Sequence, residues 1–386
     1  MKHIAFFINE FPVPSETFVL TEIDALLKQG HPVTLFCFKY LKNEVVLPEG
    51  LKVLSVAEVS TKEVAVYCAQ RSIRLAKAWQ LALELDAISA QSLLYHGAKL
   101  AYLLKKHQCQ HIHCHFMHSG LAYSMIAACW ANIPVSSIGH GHDVYINQQN
   151  LETKLRRCSF NVAVCGDMEA HFAGLGGQKT NLLHCGVNIE RFEFAHKPMS
   201  QEKKLLFVGR LVEKKGLTYA LSALANLPHD IRPALDIVGE GPLKATLMKQ
   251  AEQLRINDHV RFLGYQTPAW ISQIGLHYHG FLAPFCIADN GDCDTGPVVL
   301  KEAMAMGLPV ITTNIMGCPE IATANTGFLV EQKNVTQLVK AITAFCQLPT
   351  PSYLSMRQQA RQQVEQCFNA QLQGAKLSQW IEQARV

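Results

Sequence analysis

Short apolar runs alternate along the whole chain with amphipathic segments of helical length. The runs are rich in β-branched residues and continuously apolar, which predicts strands of parallel sheets with both faces buried and helices between them. The predicted strands are 3–8, 33–38, 111–116, 135–139, 162–165 and 182–184, followed by 205–209, 235–239, 260–263, 281–285, 310–313 and 327–330. This order predicts an α/β fold with two Rossmann-like domains that face each other across a cleft.

A polar segment at 193–203 separates the two series of strands. It carries Pro198 and shows no clear periodicity, as expected of a linker. A chain of 386 residues also suits two domains, each able to bury its own sheet. The predicted boundaries are a first domain at 1–194, a second at 195–367, and a C-terminal helix at about 368–386 that packs back on the first domain.

Composition narrows the class of protein. Hydrophobic residues make up 49% and charged residues 17% of the chain, which is typical of globular proteins. The 35 lysines and arginines barely exceed the 31 aspartates and glutamates, and this balance argues against a nucleic-acid partner. The 13 cysteines are scattered without a Cys-x-x-Cys pair, which favours a reducing compartment.

The apolar run at the N-terminus is too short for a signal peptide, and no stretch approaches the roughly 20 apolar residues that cross a bilayer. We therefore expect a cytoplasmic protein, either soluble or peripheral on the inner face of a membrane. The best candidate for such peripheral contact is the helical segment 61–85. Its basic and aromatic residues include Lys62, Arg71, Arg74, Lys77, Tyr67 and Trp79. An ordinary solvated face explains the same pattern, and both interpretations stay open.

Two loops after predicted strands carry glycines and cations. The strand at 205–209 ends in Gly209 and is followed by Arg210 and, at the start of the next helix, Lys215. Arginine and helix N-termini both bind phosphate oxygens, which predicts a diphosphate site. The strand at 235–239 leads into Gly239 and Gly241, where a backbone can approach a base or phosphate closely. The Gly-x-Gly-x-x-Gly fingerprint of a dinucleotide-binding loop is incomplete here, because its third glycine is missing, and no Walker-type loop occurs.

The segment 294–309 holds the densest group of candidate ligand-binding residues. Pro297 suits the first turn of a helix and Gly307 suits its C-terminus. The residues that can face an anionic or hydroxylated ligand at this helix start are Asp294, Thr295, Gly296, Val298 and Glu302.

Short motifs occur in order through nearly the whole chain. They are Phe11-Pro12-x-x-Ser15-Glu16-Thr17-Phe18, His113-x-His115-Phe116, Gly139-His140-Gly141-His142-Asp143, Cys185-Gly186-Val187-Asn188 with Arg191-Phe192, Gly209-Arg210, Lys215-Gly216, Gly239-x-Gly241-Pro242, the segment 294–309, and Gly317-x-Pro319-Glu320. In these motifs the chain resembles the retaining glycosyltransferases of the GT-B fold, family 4, especially bacterial enzymes of exopolysaccharide, capsule and lipopolysaccharide synthesis.

The resemblance implies that the protein transfers a sugar, with retention of configuration, from a nucleotide sugar to a saccharide or lipid-linked saccharide. A UDP- or GDP-sugar is the expected donor, with no further cofactor and no metal. Arg210 and Lys215 look like the pair that neutralises the departing diphosphate. Glu302 looks like the carboxylate that holds the ribose hydroxyls. The other implied donor-binding residues are Gly209, Gly239, Gly241, Asp294, Thr295, Gly296, Pro297 and Val298.

Asp294 stands where the family usually has the first glutamate of a Glu-x7-Glu motif. Its shorter side chain should change how far the carboxylate reaches and which donor sugar it prefers. His140 resembles the histidine that contacts the transferred sugar near the reacting carbon, and Asp143 resembles a residue that orients this loop or the acceptor. The implied loop near the diphosphate and acceptor comprises Ser15, Glu16 and Thr17.

Two patterns allow a metal site instead. His111, His113 and His115 alternate on one strand face with His118 beyond, and strand-end histidines of a polar cleft explain them equally well. The sequence 292–294 reads Asp-x-Asp, which in another glycosyltransferase fold binds a divalent ion, although cations already follow the neighbouring strand.

Two further functions suit the same frame. One is a nucleotide-sugar epimerase. The other is a catalytically inactive subunit that binds sugar nucleotides, and it is favoured by the aspartate at position 294, where the family usually has a glutamate.

Overall fold

The computed structural model describes residues 1–13, 16–41, 45–70, 72–177, 179–195 and 197–386. It divides into two compact units. The first unit contains Met1–Gly186 and Ala370–Val386, and the second contains Val187–Asn369.

The first unit has a seven-stranded parallel sheet in the order β3-β2-β1-β4-β5-β6-β7. Its strands are β1 (Ile4–Phe11), β2 (Val33–Tyr40), β3 (Lys52–Ser55), β4 (His111–His115), β5 (Val135–Ile138), β6 (Phe160–Ala163) and β7 (Thr180–Leu182). Its helices are α1 (Thr17–Lys28), α2 (Thr61–Ala69), α3 (Ser72–Glu84), α4 (Ala90–Lys106), α5 (Ser119–Ala131), α6 (Leu151–Arg157) and α7 (Gly166–Gly174). A π-helical turn occupies His142–Ile146.

The second unit has a six-stranded parallel sheet in the order β10-β9-β8-β11-β12-β13. Its strands are β8 (Lys204–Val208), β9 (Ala234–Val238), β10 (Val260–Gly264), β11 (Gly280–Ala283), β12 (Val310–Thr313) and β13 (Gly327–Val330). Its helices are α8 (Leu217–Ala225), α9 (Lys244–Gln253), α10 (Pro268–Ile274), α11 (Val298–Ala305), α12 (Cys318–Ile321), α13 (Val335–Cys346) and α14 (Thr350–Gln363). The last helix of the chain, α15 (Ala370–Gln383), belongs to the first unit.

Both faces of the second sheet are buried. Leu205 and Phe207 of β8 lie in one apolar cluster, whereas Leu206 between them lies in the cluster on the opposite face. Because successive side chains of a strand point to opposite faces, this requires the continuous apolar runs that predicted the strands. The predicted α/β fold with two Rossmann-like units is confirmed, while the predicted cleft stays a prediction.

Residues 187–194 were predicted in the first domain, but the structure includes them in the second unit. The reason is local pairing: the amide of Val187 donates to the carbonyl of Phe368 at 2.8 Å, and Phe192 is buried in a core cluster of the second unit. The polar segment at 193–203 therefore follows the boundary.

The helix α15 packs against α1. A side chain at Gly374 would lie 2.6 Å from the Cβ of Ala25, so glycine permits the two helices to approach this closely. His31 and Ser378 add a hydrogen bond of 2.8 Å to this contact. Within the described part of the chain, no helix combines the length and the apolar character needed to cross a bilayer.

Candidate functional site

In each sheet, the strand that comes first in the chain lies inside the sheet and not at its edge. The chain adds two strands on one side of β1 and then crosses to β4 on the other side, and it does the same from β8 to β11. In such open sheets ligands bind beyond the carboxyl ends of the strands where the order reverses. The residues after β1, β4, β8 and β11 are therefore the first candidates for function.

The loops after β8 and β9 are joined by backbone hydrogen bonds. The amide of Gly209 donates to Val238 at 3.0 Å, and the amide of Leu211 donates to Glu240 at 2.9 Å. Gly239 has a φ of +137°, and a Cβ there would lie 1.9 Å from the carbonyl oxygen of Gly209. A Cβ at Gly241 would lie 2.4 Å from the oxygen of Leu211. The packing of one loop on the other therefore requires glycine at both positions, and their contact with a ligand stays a prediction.

Two lysines and two aspartates form a charge cluster at the carboxyl edge of the second sheet. Lys215 Nζ lies 2.7 Å from Asp294 Oδ2, and Lys214 Nζ lies 2.9 Å from Asp292 Oδ1. The lysines follow β8 and the aspartates follow β11, which pairs with β8 in parallel. Lys215 also lies 4.9 Å above the centre of the Phe285 ring. Arg210, in the loop directly after β8, is exposed.

The segment after Asp294 enters helix α11 nearly as predicted. The helix begins at Val298, with Pro297 at the N-cap, one position later than the sequence suggested. Thr295 is buried, and its carbonyl accepts a hydrogen bond of 3.0 Å from the amide of Gly317. Gly296 and Val298 are half-buried. The helix ends at Ala305, and Gly307 with a φ of +71° follows it, as a C-terminal glycine should.

Glu302 lies on α11 and is half-buried. Burial raises the pKa of its carboxyl to about 7, although the positive charges of Arg191 and Lys301 oppose this shift. A carboxyl that exchanges its proton near neutral pH can accept hydrogen bonds from hydroxyl groups once it is ionised.

In the first unit, His140 follows β5 within a group of aromatic rings. Its ring centre lies 4.6 Å from that of Phe18 and 4.7 Å from that of Phe116, and it stacks on His115 at 5.5 Å. His140 Nε2 lies 3.3 Å from Nδ1 of His115. Burial, reinforced by the neighbouring His115, lowers the pKa of His140 well below its ordinary value, so its imidazole is neutral at physiological pH.

Asp143 is completely buried below this loop. Its Oδ1 accepts from the amide of His140 at 3.0 Å, and its Oδ2 accepts from the amide of Met117 at 2.5 Å. Burial raises the pKa of Asp143 to about 7, against the effect of these amides and of Lys154. This geometry favours orientation of the His140 loop over direct contact with an acceptor.

The predicted loop after β1 is described only in part, since Ser15 lies outside the described residues. Glu16 precedes α1 and is half-buried, and burial raises its pKa to about 7. Thr17 is the first residue of α1 and is exposed.

The histidines of β4 meet an acidic residue that sequence reasoning missed. His113 and His115 each point Nε2 at Oε1 of Glu22 on α1, at 3.3 Å and 3.0 Å. These three groups have their potential metal-ligand atoms within 4.8 Å of one another. His118 instead accepts from the amide of Gly120 at 3.5 Å, at the start of α5. The only sequence signal for Glu22 was its position one helical turn after Phe18.

Two family models match the chain. The model described as Glycosyltransferase Family 4 matches residues 15–191, and the model described as Glycosyl transferases group 1 matches residues 188–363. The two matches meet near the boundary between the two units and together leave only short segments at either end.

Individual proteins resemble the whole chain or about half of it. The candidate colanic acid biosynthesis glycosyltransferase WcaL of Escherichia coli (strain K12) is 25% identical over 405 residues, which cover 98% of this chain and 99% of WcaL. The amylovoran biosynthesis glycosyltransferase AmsK of Erwinia amylovora is 29% identical over 211 residues, which cover 54% of this chain and 52% of AmsK. The crystal structure of Anabaena Alr3699/HepE in complex with UDP covers 99% of this chain and 100% of its own, with a TM-score of 0.74 at 17% identity. This likeness shows a common fold.

Proposed function

The chain belongs to glycosyltransferase family 4 and has the GT-B fold, and from this premise we propose that it moves a sugar, with retention of configuration, from a UDP- or GDP-sugar to a saccharide or lipid-linked saccharide. The proposed setting is the synthesis of a cell-surface polysaccharide on the cytoplasmic side of the membrane. WcaL and AmsK, which carry the names of exopolysaccharide pathways, support this setting.

The observation that carries the proposal is the charge cluster after β8 and β11. Lys215 is largely buried at the carboxyl edge of the sheet, with 13% of its side chain exposed, and Lys214 lies beside it. A nucleotide diphosphate leaving group develops negative charge as its bond to the sugar breaks. Fixed ammonium and guanidinium groups stabilise that charge without reorganisation, and Lys215 with Arg210 would act in this way.

Asp294 and α11 would complete the donor site. Asp294 holds Lys215 in place through a direct ion pair, and its carboxylate would contact the sugar ring at the start of the helix. The amides of Gly296 and Val298 would bind oxygens of the donor, since the first amides of a helix lack intrahelical partners. Glu302, two turns into the segment, would accept hydrogen bonds from the ribose hydroxyls.

His140 would contact the transferred sugar as a neutral imidazole. Its lowered pKa keeps a second positive charge away from the reacting carbon, where positive charge develops as the diphosphate departs. We assign no nucleophile. Glu16 and Thr17 would line the first unit near the acceptor, and Asp143 would hold the His140 loop.

Metal independence is supported by the pairing of the two aspartates. Asp292 contacts Lys214 and Asp294 contacts Lys215, so each carboxylate of the Asp-x-Asp sequence already has a cation beside it. A divalent ion would compete with both lysines for these carboxylates.

Contact with a membrane surface is supported by α3. Leu75, Trp79 and Leu83 recur every fourth residue on this helix, and each leaves about half of its side chain exposed, at 47%, 48% and 59%. Lys77 is exposed on the same helix and Lys62 on α2. Arg71 lies outside the described residues.

A thermal-shift panel of UDP-, GDP- and ADP-sugars tests the donor, because a bound ligand raises the apparent melting temperature. The identified donor is then incubated with and without a pool of saccharide acceptors. Transfer with the anomeric configuration of the donor supports the proposal. Epimerised nucleotide sugar in the absence of acceptor would identify an epimerase, and binding without turnover would identify an inactive subunit.

A further inference from the structure

Helix α1 directs two side chains toward the histidines of the first unit. The ring of Phe18 lies 4.6 Å from the ring of His140, and Glu22, four residues later, accepts from His115. Residues four apart lie on one face of a helix, so a single element contacts both histidines.

The carboxylate of Glu22 is ionised. Burial alone would raise its pKa, but the neighbouring His115 and His113 hold the pKa well below its usual range. An ionised carboxylate only accepts hydrogen bonds. His115, whose Nε2 lies 3.0 Å from Oε1 of Glu22, must therefore present a protonated Nε2 to it, while Nε2 of His113 lies 3.3 Å from the same oxygen.

This requirement extends to His140. Because Nε2 of His115 donates to Glu22, Nδ1 of His115 faces Nε2 of His140 at 3.3 Å, and this Nδ1 has a free lone pair whenever His115 carries one proton. In that state His140 donates from Nε2 and keeps Nδ1 as an acceptor. The two nitrogens of an imidazole differ in function, and the partner of one decides the state of the other.

A second branch leaves Glu22 in the opposite direction. Nδ1 of His113 lies 2.8 Å from the hydroxyl of Ser136, and this hydroxyl lies 2.7 Å from Nε2 of His111. This branch belongs to the same buried network but ends away from His140. It offers a control that separates support of the fold from action on His140.

We propose that Glu22 is a positioning residue that acts through His115 to fix the ring orientation and tautomer of His140. The inference rests on the role proposed for His140 in sugar transfer. The arrangement is similar in logic to the carboxylate that holds the histidine of a serine protease in its working tautomer.

Imidazole nitrogen NMR of uniformly ¹⁵N-labelled, full-length protein tests the contact chain directly. A His140→Gln spectrum assigns the His140 signals. In the wild type at alkaline pH, where His115 carries one proton, we expect His140 to be protonated at Nε2 and unprotonated at Nδ1. In Glu22→Leu the two His140 nitrogens should move toward equal, averaged shifts, whereas in Ser136→Ala they should stay as in the wild type. Unchanged His140 signals in Glu22→Leu would overturn the proposal.

Kinetics with the identified donor and acceptor test the consequence. Loss of an outer residue that orients a reacting group costs about tenfold to hundredfold in activity. Glu22→Leu should lower kcat by that factor while KM for the donor changes less than about twofold. Glu22→Gln keeps the shape of the side chain and one carbonyl acceptor, so its kcat should fall less. This variant replaces Glu22→Leu in the test if the leucine variant does not fold. Ser136→Ala should keep its kcat.

Two outcomes separate the possible failures. Equal losses in Glu22→Leu and Ser136→Ala would mean that the network only supports the fold, and the positioning role would be refuted. Full activity in His140→Gln would refute the function proposed for His140, while the NMR result would still decide the contact chain. A stoichiometric metal ion that is present in purified wild type and absent from Glu22→Leu would make these groups metal ligands and overturn the inference.

Discussion

Lys215 and Asp294, which are 79 residues apart in the chain, form an ion pair of 2.7 Å at the carboxyl edge of the second sheet. The pair joins the loop after β8 to the loop after β11, so it links the two strands between which the strand order reverses. Asp294 therefore fixes the position of the Lys215 ammonium group, in addition to any contact with a sugar.

Replacing Lys215 should impair chemistry more than binding. Lys215→Ala should lower kcat by about a hundredfold to a thousandfold, because a fixed charge that meets developing negative charge contributes by this amount. Steady-state kinetics with the identified donor measure it. Lys340→Ala removes the same charge from an exposed position on α13 and should have no effect. Unchanged turnover in Lys215→Ala would remove this residue from the site.

Glu302→Gln should weaken the binding of free nucleotide. An ionised carboxylate can accept from both ribose hydroxyls, whereas an amide offers one acceptor oxygen, and a lost charged hydrogen bond costs about 1.5–3 kcal/mol. Calorimetry should show a dissociation constant at least tenfold higher at pH 8. In the wild type the affinity should rise with pH through about 7, where Glu302 loses its proton, and this rise should be absent from the variant. Equal constants in both proteins would exclude a ribose contact.

The free energy of unfolding should also depend on the protonation of the Glu302 carboxyl. Burial raises the folded-state pKa of Glu302 from 4.5 to about 7, so the folded chain holds a proton that the unfolded chain releases. Its contribution to the free energy of unfolding is therefore complete below pH 4.5 and is lost as the pH rises through about 7. Urea titrations between pH 5 and pH 8 should show a stability difference between wild type and Glu302→Gln that shifts in favour of the variant as the pH rises. A difference independent of pH would contradict the raised pKa.

The strands were predictable because burial on both faces demands apolar runs, and every such run became a strand of a parallel sheet. The strand β3 was missed since only four residues, Lys52–Ser55, form it at the edge of the sheet, and none of its side chains is fully buried. A short, partly exposed strand leaves no continuous apolar run in the sequence.

Within the site, the sequence located single residues after strands but not their pairs. Lys215 and Asp294 were both identified, yet their contact depends on β8 lying beside β11, which the local pattern does not specify. Glu22 was missed because its partner His115 is 93 residues away and a glutamate on an amphipathic helix is ordinarily a solvated residue. The proposed sugar contact of His140 stays a prediction.

Removal of divalent ions should leave activity unchanged. Both carboxylates of 292–294 already lie beside lysines, which would supply the positive charge that a diphosphate needs. Protein treated with EDTA and exchanged into metal-free buffer should keep its kcat within about twofold, because no ion has to be replaced. Activity that disappears in chelator and returns with Mn²⁺ would revive the Asp-x-Asp interpretation.

The exposed stripe on α3 predicts binding to anionic membranes. Leu75, Trp79 and Leu83 can enter the lipid headgroup region while Lys62 and Lys77 meet its negative charge. Each basic residue near such a surface contributes about 1 kcal/mol, so Lys62→Gln with Lys77→Gln should reduce partition onto phosphatidylglycerol vesicles by roughly thirtyfold in low salt. Trp79→Ser should weaken binding at any salt concentration, whereas Tyr265→Ser, which removes an aromatic ring 62% exposed on the second unit, should not. Cosedimentation measures all four proteins, and wild type that stays in the supernatant with vesicles would leave α3 as an ordinary solvated helix.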